Sequence, residues 1–139
     1  MLTVGLIACT KKKLAASGEV PARTLYSASA LFRAALAYCE RAYDQVFVLS
    51  ARYGLVELDQ PLRTYDESLA TAPALVRRVW AVRVYDEIKR RDLLDAHFSF
   101  HAGVNYREPL IRSLMHTDVP LAGLGIGQQL SWYKRTANQ

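Results

Sequence analysis

The alternation of apolar and polar positions divides the chain into short apolar runs separated by longer amphipathic stretches. Residues 2–8 and 45–50 are rich in branched and aromatic side chains, which is typical of buried β-strands. Between them, apolar residues recur at helical spacing and predict a helix that is capped by Ser27 or Ser29 and ends near Tyr43. This order predicts a β-α-β unit whose strands are parallel through a right-handed crossover.

A long amphipathic helix is predicted from about Ala74 to Asp92. Its polar face is rich in arginine and could lie along a nucleic-acid backbone, or could simply be solvated. The face expected to pack on the sheet consists of Leu75, Val76, Val79, Trp80, Val82, Val84 and Ile88.

The rest of the chain predicts two further strands and two further helices. Residues 96–102 alternate in polarity and residues 119–121 form a short apolar run, so both predict strands. One helix is expected to begin near Tyr106 with Asn105 as its cap, and the last to end near Arg135. Together these elements predict a single three-layer α/β sandwich over residues 1–139, with a mainly parallel, Rossmann-like sheet of about four strands.

The connection over residues 57–73 is long and lacks a clear periodicity. Connections of this length are often binding loops or lids. Asp66 in this loop is a candidate general base or electrostatic partner. A purely structural role for Asp66, in an Asx turn or at a helix N-terminus, fits the pattern equally well.

Composition and charge narrow the class of protein. The chain has 139 residues, of which 51 % are hydrophobic and 22 % charged, as in ordinary globular domains. Its 18 lysines and arginines exceed its 13 acidic residues, and the net charge of +5 favours anionic partners.

No apolar run approaches the ~20 residues that span a bilayer, so no membrane partner is expected. No positive region precedes the first apolar run, and a cytoplasmic location is predicted.

The motifs of metal and cofactor sites are missing from the sequence. Cys9 and Cys39 are expected to be reduced thiols, with Cys39 in the core, and neither has a close Cys or His companion for a metal. The G-x-x-x-x-G-K pattern of a P-loop is absent. The glycines at 123, 125 and 127 do not have dinucleotide-fingerprint spacing, so no cofactor is expected.

The candidate binding residues cluster where the predicted strands end. They are Thr10, Lys11, Lys12 and Lys13 after the first strand, Ser50, Arg52 and Tyr53 after the second, His101 and Asn105 after the third, and Gln128 at the last helix. Because ligands of open α/β sheets bind beyond the carboxyl ends of the strands, we expect one pocket for an anionic ligand at this edge.

This pattern predicts an enzyme that acts on a nucleotide or on a base within nucleic acid. Arg52 and the lysines would hold phosphate and Tyr53 would stack on a base, while Asp66 or His101 would act as acid or base. Cleavage of a glycosidic bond is the reaction considered first, because it needs a carboxylate and no metal. The alternatives are a non-catalytic nucleic-acid-binding module and a sensor of small anions.

Several motifs together resemble a family of small bacterial domains of unknown function. They are LIACTKKK at 6–13, LSARYGL at 49–55, YDxSL at 65–69, His101-Ala-Gly103 and GIGQQLSWY at 125–133. This resemblance covers nearly the whole chain and implies no particular activity. A shorter segment, Ser50 to Leu55 with Pro61 and Tyr65, is similar to part of the YaaA peroxide-stress proteins. That similarity implies DNA binding in a stress response.

Overall fold

A five-stranded sheet runs through the centre of the protein, seen in a computed structural model that describes residues 1–138. The elements in chain order are β1 (Thr3–Ala8), β2 (Val20–Pro21), α1 (Ala22–Leu25), α2 (Ala30–Ala42), β3 (Gln45–Ser50), β4 (Gly54–Glu57), β5 (Pro61–Leu62), a 3₁₀ turn (Leu69–Thr71), α3 (Ala74–Arg90), β6 (His97–His101), α4 (Val104–Ile111), β7 (His116–Asp118) and α5 (Ile126–Ala137).

The strands of this sheet follow the order β4-β3-β1-β6-β7, and all neighbouring pairs are parallel except β3 with β4. The chain moves outward from β1 to β3 and then returns to β6 on the other side of β1. The order of the strands therefore reverses between β1 and β6, which defines a topological switch point. The predicted mainly parallel α/β architecture is confirmed.

The helices cover both faces of the sheet, α2 and α5 on one and α3 and α4 on the other. Helix α2 begins where the sequence predicts, because the Phe32 amide donates to the Ser29 hydroxyl at 3.2 Å. Phe98 and Phe100 of β6 are buried on the α3 side, whereas Ser99 and His101 face α2 and α5. Cys39 is fully buried, as predicted.

The sheet has one more strand than the sequence predicted. Strand β4 folds back on β3 as an antiparallel hairpin, and Gly54 adopts the left-handed region with φ of 75°. The last parallel strand is β7, which ends before the predicted run of residues 119–121. Pro120 in that run has no amide hydrogen to donate to a sheet, and Leu121 is buried through its side chain instead.

Helix α3 buries a narrower face than predicted. Trp80, Val84 and Ile88 are buried against the sheet, as expected. The other residues that were predicted to face the sheet are 50 to 63 % exposed. These residues are Leu75, Val76, Val79 and Val82. Leu75, Val79 and Val82 lie on the far side of the helix, where no element of residues 1–138 covers them, and Val76 lies one turn before the buried Trp80. Among the described residues, no helix is both long and apolar enough to cross a bilayer.

Candidate functional site

A cavity of about 440 Å³ opens at the switch point, beyond the carboxyl ends of β1 and β6. Its polar lining consists of Cys9, Thr10, His101, Arg107, Gln129 and Tyr133. Phe32 of α2 and Leu121 supply apolar wall. The volume lies in the range of roughly 300–1,000 Å³ that is common for small-molecule sites. We call this space the switch-point cavity.

Two helices begin at the switch-point cavity. Gly103 and Val104 at the start of α4 line it, as does Ile126 at the start of α5. Among residues 1–138, no side chain accepts an N–H group of the first turn of either helix, and Gln128 accepts only the amide of the N-cap residue Gly125. First-turn N–H groups therefore remain available to a ligand. A helix N-terminus also carries a partial positive charge, so this end of the cavity suits an anion.

Arg107 adds a full positive charge one turn into α4. Its guanidinium is half-buried and donates one hydrogen bond, from Nη1 to the Ala102 carbonyl at 2.9 Å. This bond holds the side chain at the first turn of its own helix. A guanidinium has five N–H donors, so most of them remain for a phosphate or carboxylate in the cavity.

His101 lines the cavity from within a tyrosine cluster. Its Nε2 lies 2.8 Å from the Tyr43 hydroxyl and its Nδ1 lies 2.6 Å from the Tyr133 hydroxyl. Burial lowers the pKa of His101 to about 4, so the ring is neutral at pH 7 and bonds one hydroxyl as donor and the other as acceptor. Since both nitrogens are engaged, proton exchange with a ligand would pass through the Tyr133 hydroxyl.

Cys9 directly follows β1 on the other side of the switch point. Its thiol donates to the Tyr106 hydroxyl at 3.3 Å and accepts the Ala51 amide at 3.4 Å. The Tyr106 hydroxyl also accepts the Leu69 amide at 3.3 Å, and burial raises the pKa of this tyrosine. These bonds join the end of β1 to α4 and to the 3₁₀ turn.

Ser50 belongs to a buried tyrosine cluster. Its hydroxyl lies 2.8 Å from the Tyr65 hydroxyl, which in turn lies 2.6 Å from that of Tyr26. Ser50 also accepts the Tyr53 amide at 3.0 Å and so closes the turn after β3. Burial raises the pKa of Tyr26 to about 12 and also raises that of Tyr65. The structure therefore places Ser50 beside the switch-point cavity rather than in its lining.

The loop after β1, which carries Lys11, Lys12 and Lys13, reaches both the switch-point cavity and the cluster of Tyr26 and Tyr65. Thr10 lines the cavity, and its hydroxyl donates to the Lys12 carbonyl at 2.6 Å. Lys11 and Lys12 are exposed next to it. The ammonium of Lys13 lies 4.4 Å from the centre of the Tyr65 ring, which is a cation–π contact.

The predicted residues of the β3 turn and the following loop lie outside the cavity lining. Arg52 forms an exposed ion pair with Glu67 at 3.1 Å. The Tyr53 hydroxyl donates to the Arg63 carbonyl at 3.1 Å. Asp66 is exposed in the same loop. Arg52 and Tyr53 therefore tie the β3 turn to the loop that carries Asp66.

Asn105 and Gln128 also make intramolecular contacts. The predicted cap role of Asn105 is wrong, since Gly103 occupies the N-cap position of α4 and the Asn105 side chain accepts from Arg77 at 3.3 Å. Gln128 accepts the Gly125 amide at 3.0 Å. Its neighbour Gln129 lines the cavity instead.

Sequence reasoning missed three residues near the cavity: Tyr106, Arg107 and Tyr133. Arg107 could have been predicted from the sequence. A cation in the first turn of a helix that follows a parallel strand can face the sheet edge at which that strand ends. The two tyrosines could not have been predicted, since aromatic residues at helical spacing usually indicate core packing.

Two arginines of α3 bond neighbouring loops, and a third bonds its own helix. Arg77 donates to the Leu69 carbonyl at 3.4 Å, and Arg83 donates to the carbonyls of Arg52 and Tyr53 at 2.9 Å each. Arg90 donates to the Asp86 carbonyl at 3.4 Å. The solvent side of this helix also carries the exposed apolar residues, which do not suit a phosphate backbone.

Strand order and cavity together define a doubly wound α/β domain with a ligand-sized cavity at its switch point. Residues 4–135 match the model of a family described as a family of unknown function (DUF6884), and the chain belongs to this family. No curated protein and no solved structure matches the chain.

Proposed function

We propose that this chain is an enzyme that acts on a nucleotide, or on a closely related phosphorylated compound, bound in the switch-point cavity. The observation that carries the proposal is the meeting of two helix N-termini and the Arg107 guanidinium at one cavity of about 440 Å³. Within residues 1–138, the first-turn N–H groups of both helices bind no side chain. Backbone N–H groups and a guanidinium both bind phosphate oxygens through strong, charge-assisted hydrogen bonds.

The remaining lining suits the base and sugar of a nucleotide. The partly buried side chains of Leu31, Val119 and Leu124 form an apolar wall on which a planar base can pack. The Gln129 amide nitrogen is held by the Leu124 carbonyl at 2.9 Å, which leaves the amide oxygen to accept from a base or sugar. Thr10 adds a hydroxyl at the end of β1.

Cleavage of a glycosidic bond is the reaction to test first. Such a reaction needs a carboxylate that stabilises the developing positive charge of the sugar. Asp66 is the proposed carboxylate; it is exposed in the loop anchored by Tyr65 and has to approach the bound ligand from that loop. His101 is proposed to act through the Tyr133 hydroxyl.

Binding measurements test the proposal. Calorimetry and thermal unfolding are used to measure the binding of 5′-mononucleotides, nucleosides and inorganic phosphate. We expect mononucleotides to raise the unfolding temperature, and Arg107→Gln to weaken their binding about 10- to 100-fold, as for loss of a charged hydrogen bond. Arg112→Gln is the matched control, because this exposed arginine lies at the other end of α4 and outside the cavity lining.

Base release from the bound nucleotide then tests the reaction. Asp66→Asn should abolish release while the affinity for the nucleotide stays unchanged. If none of the three probes binds at millimolar concentration, the cavity does not serve a nucleotide and the proposal is wrong. If a nucleotide binds but Asp66→Asn releases base as fast as the wild type, the catalytic assignment of Asp66 is wrong.

A further inference from the structure

The solvent side of α3 carries a continuous apolar stripe. Leu75, Val79 and Val82 are 63, 63 and 61 % exposed, and Val76 beside them is 50 % exposed. Scattered apolar residues on a surface are ordinary, but a contiguous row along one helix marks an interaction surface. We call Leu75, Val79 and Val82 the α3 stripe.

The spacing of the α3 stripe is that of a helix–helix seam. Its members are separated by four and three residues, and Asp86 follows four residues later on the same line. A row with this 3–4 alternation faces a second helix in coiled-coil and bundle packing. Trp80, Val84 and Ile88 fill the opposite side of α3 and face the sheet, so the stripe takes no part in the core.

We propose that the α3 stripe binds the same stripe of a second copy of this chain, with the two helices antiparallel about a two-fold axis near Val79 and Val82. Such an axis makes the surface self-complementary, since each contact occurs twice. This inference is independent of the function proposed for the cavity.

The charges beside the stripe favour this antiparallel arrangement. Arg78 flanks its N-terminal half and Asp86 ends its C-terminal half, and within residues 1–138 neither side chain forms an ion pair. Antiparallel pairing brings Arg78 of each copy towards Asp86 of the other, which makes two opposite-charge contacts. A parallel pair would place Arg78 against Arg78 and Asp86 against Asp86.

Sedimentation equilibrium of the full chain, from low micromolar to millimolar concentration, tests this proposal. We expect a reversible dimer whose dissociation constant rises roughly 30-fold or more in Val82→Glu, because the change puts a charge at the centre of a desolvated seam. Met115→Glu is the control, since Met115 is 78 % exposed and lies on a different part of the surface. Circular dichroism of each variant verifies that it is folded.

Charge reversal tests the orientation of the two helices. Arg78→Glu and Asp86→Arg should each weaken the dimer several-fold, and the double variant should recover most of the loss. A wild-type chain that stays monomeric at millimolar concentration overturns the proposal, as does equal weakening by Val82→Glu and Met115→Glu. Absence of recovery in the double variant overturns the antiparallel arrangement.

Discussion

The imidazole of His101 links the candidate site to the stability of the fold. Its two nitrogens are bonded to Tyr43 and Tyr133, and burial lowers its pKa to about 4. The unfolded chain therefore binds a proton between about pH 6.5 and 4 that the folded chain excludes. The corresponding stability is fully present above pH 6.5 and is lost as the pH falls towards 4. The total loss should be about 3 kcal/mol.

Urea unfolding between pH 7 and pH 4.5 checks this prediction in the wild type and in His101→Gln. Glutamine does not titrate, so the variant should be less stable at pH 7 but should lose less of its free energy of unfolding across the window. Hydrogen bonds from the Thr3 amide and hydroxyl lower the pKa of Asp44. Protonation of this carboxylate therefore affects the free energy of unfolding at more acidic pH than the range of this measurement. Equal slopes in the two proteins would show that His101 does not titrate as described.

At the scale of elements, the β3–β4 hairpin depends on one glycine. Gly54 has a φ of 75°, and a Cβ at this position would overlap the carboxylate of Glu87, which accepts the Leu55 amide at 3.3 Å. Gly54→Ala should therefore cost backbone strain and also displace Glu87 of α3, about 2–3 kcal/mol in all.

Gly123→Ala is the matched control for the hairpin variant. Gly123 has a φ of 80°, but a Cβ added there would meet no atom of residues 1–138 within 4 Å, so only the backbone strain of roughly 1 kcal/mol applies. Equilibrium urea unfolding of both variants measures the difference. Equal losses would contradict a steric role for Glu87 at the hairpin.

The elements show why periodicity predicts some features and misses others. Helix α2 and strands β1, β3 and β6 follow from it, because each has enough residues to show a period. Strand β4 spans only Gly54–Glu57, and four residues do not establish an alternation. In α3 the apolar positions are visible in the sequence, but which of them a neighbouring element covers depends on tertiary packing.

At the scale of the molecule, the location of the candidate site was predictable and its composition largely was not. Parallel strands bring their carboxyl ends to one edge, so Thr10 and His101 could be assigned to the cavity from strand order alone. Arg107, Gln129 and Tyr133 reach it from α4 and α5. Their direction depends on how those helices rotate on the sheet, which a local pattern does not specify.

The dependence of binding on salt distinguishes a nucleotide enzyme from a nucleic-acid-binding module. The net charge of +5 attracts any polyanion, but Arg77, Arg83 and Arg90 are held in intramolecular contacts. We therefore expect single-stranded DNA, duplex DNA and tRNA to bind only weakly, with dissociation constants near the roughly 10⁻⁴–10⁻⁶ M of non-specific complexes. Mononucleotide binding should depend much less on salt, because one or two phosphates are neutralised.

Labelled polymers are titrated across a salt series, with mononucleotides as competitors. This titration measures how the affinity for polymers and the affinity for mononucleotides depend on salt. Arg78→Gln together with Lys12→Gln should weaken polymer binding and leave mononucleotide binding unchanged, whereas Arg107→Gln should do the reverse. Tight polymer binding with a logarithmic salt slope near −5, which corresponds to about five or six phosphate contacts, would favour the binding module. In that case the phosphates would be held by the exposed surface, and the switch-point cavity would serve at most a single nucleotide of the strand.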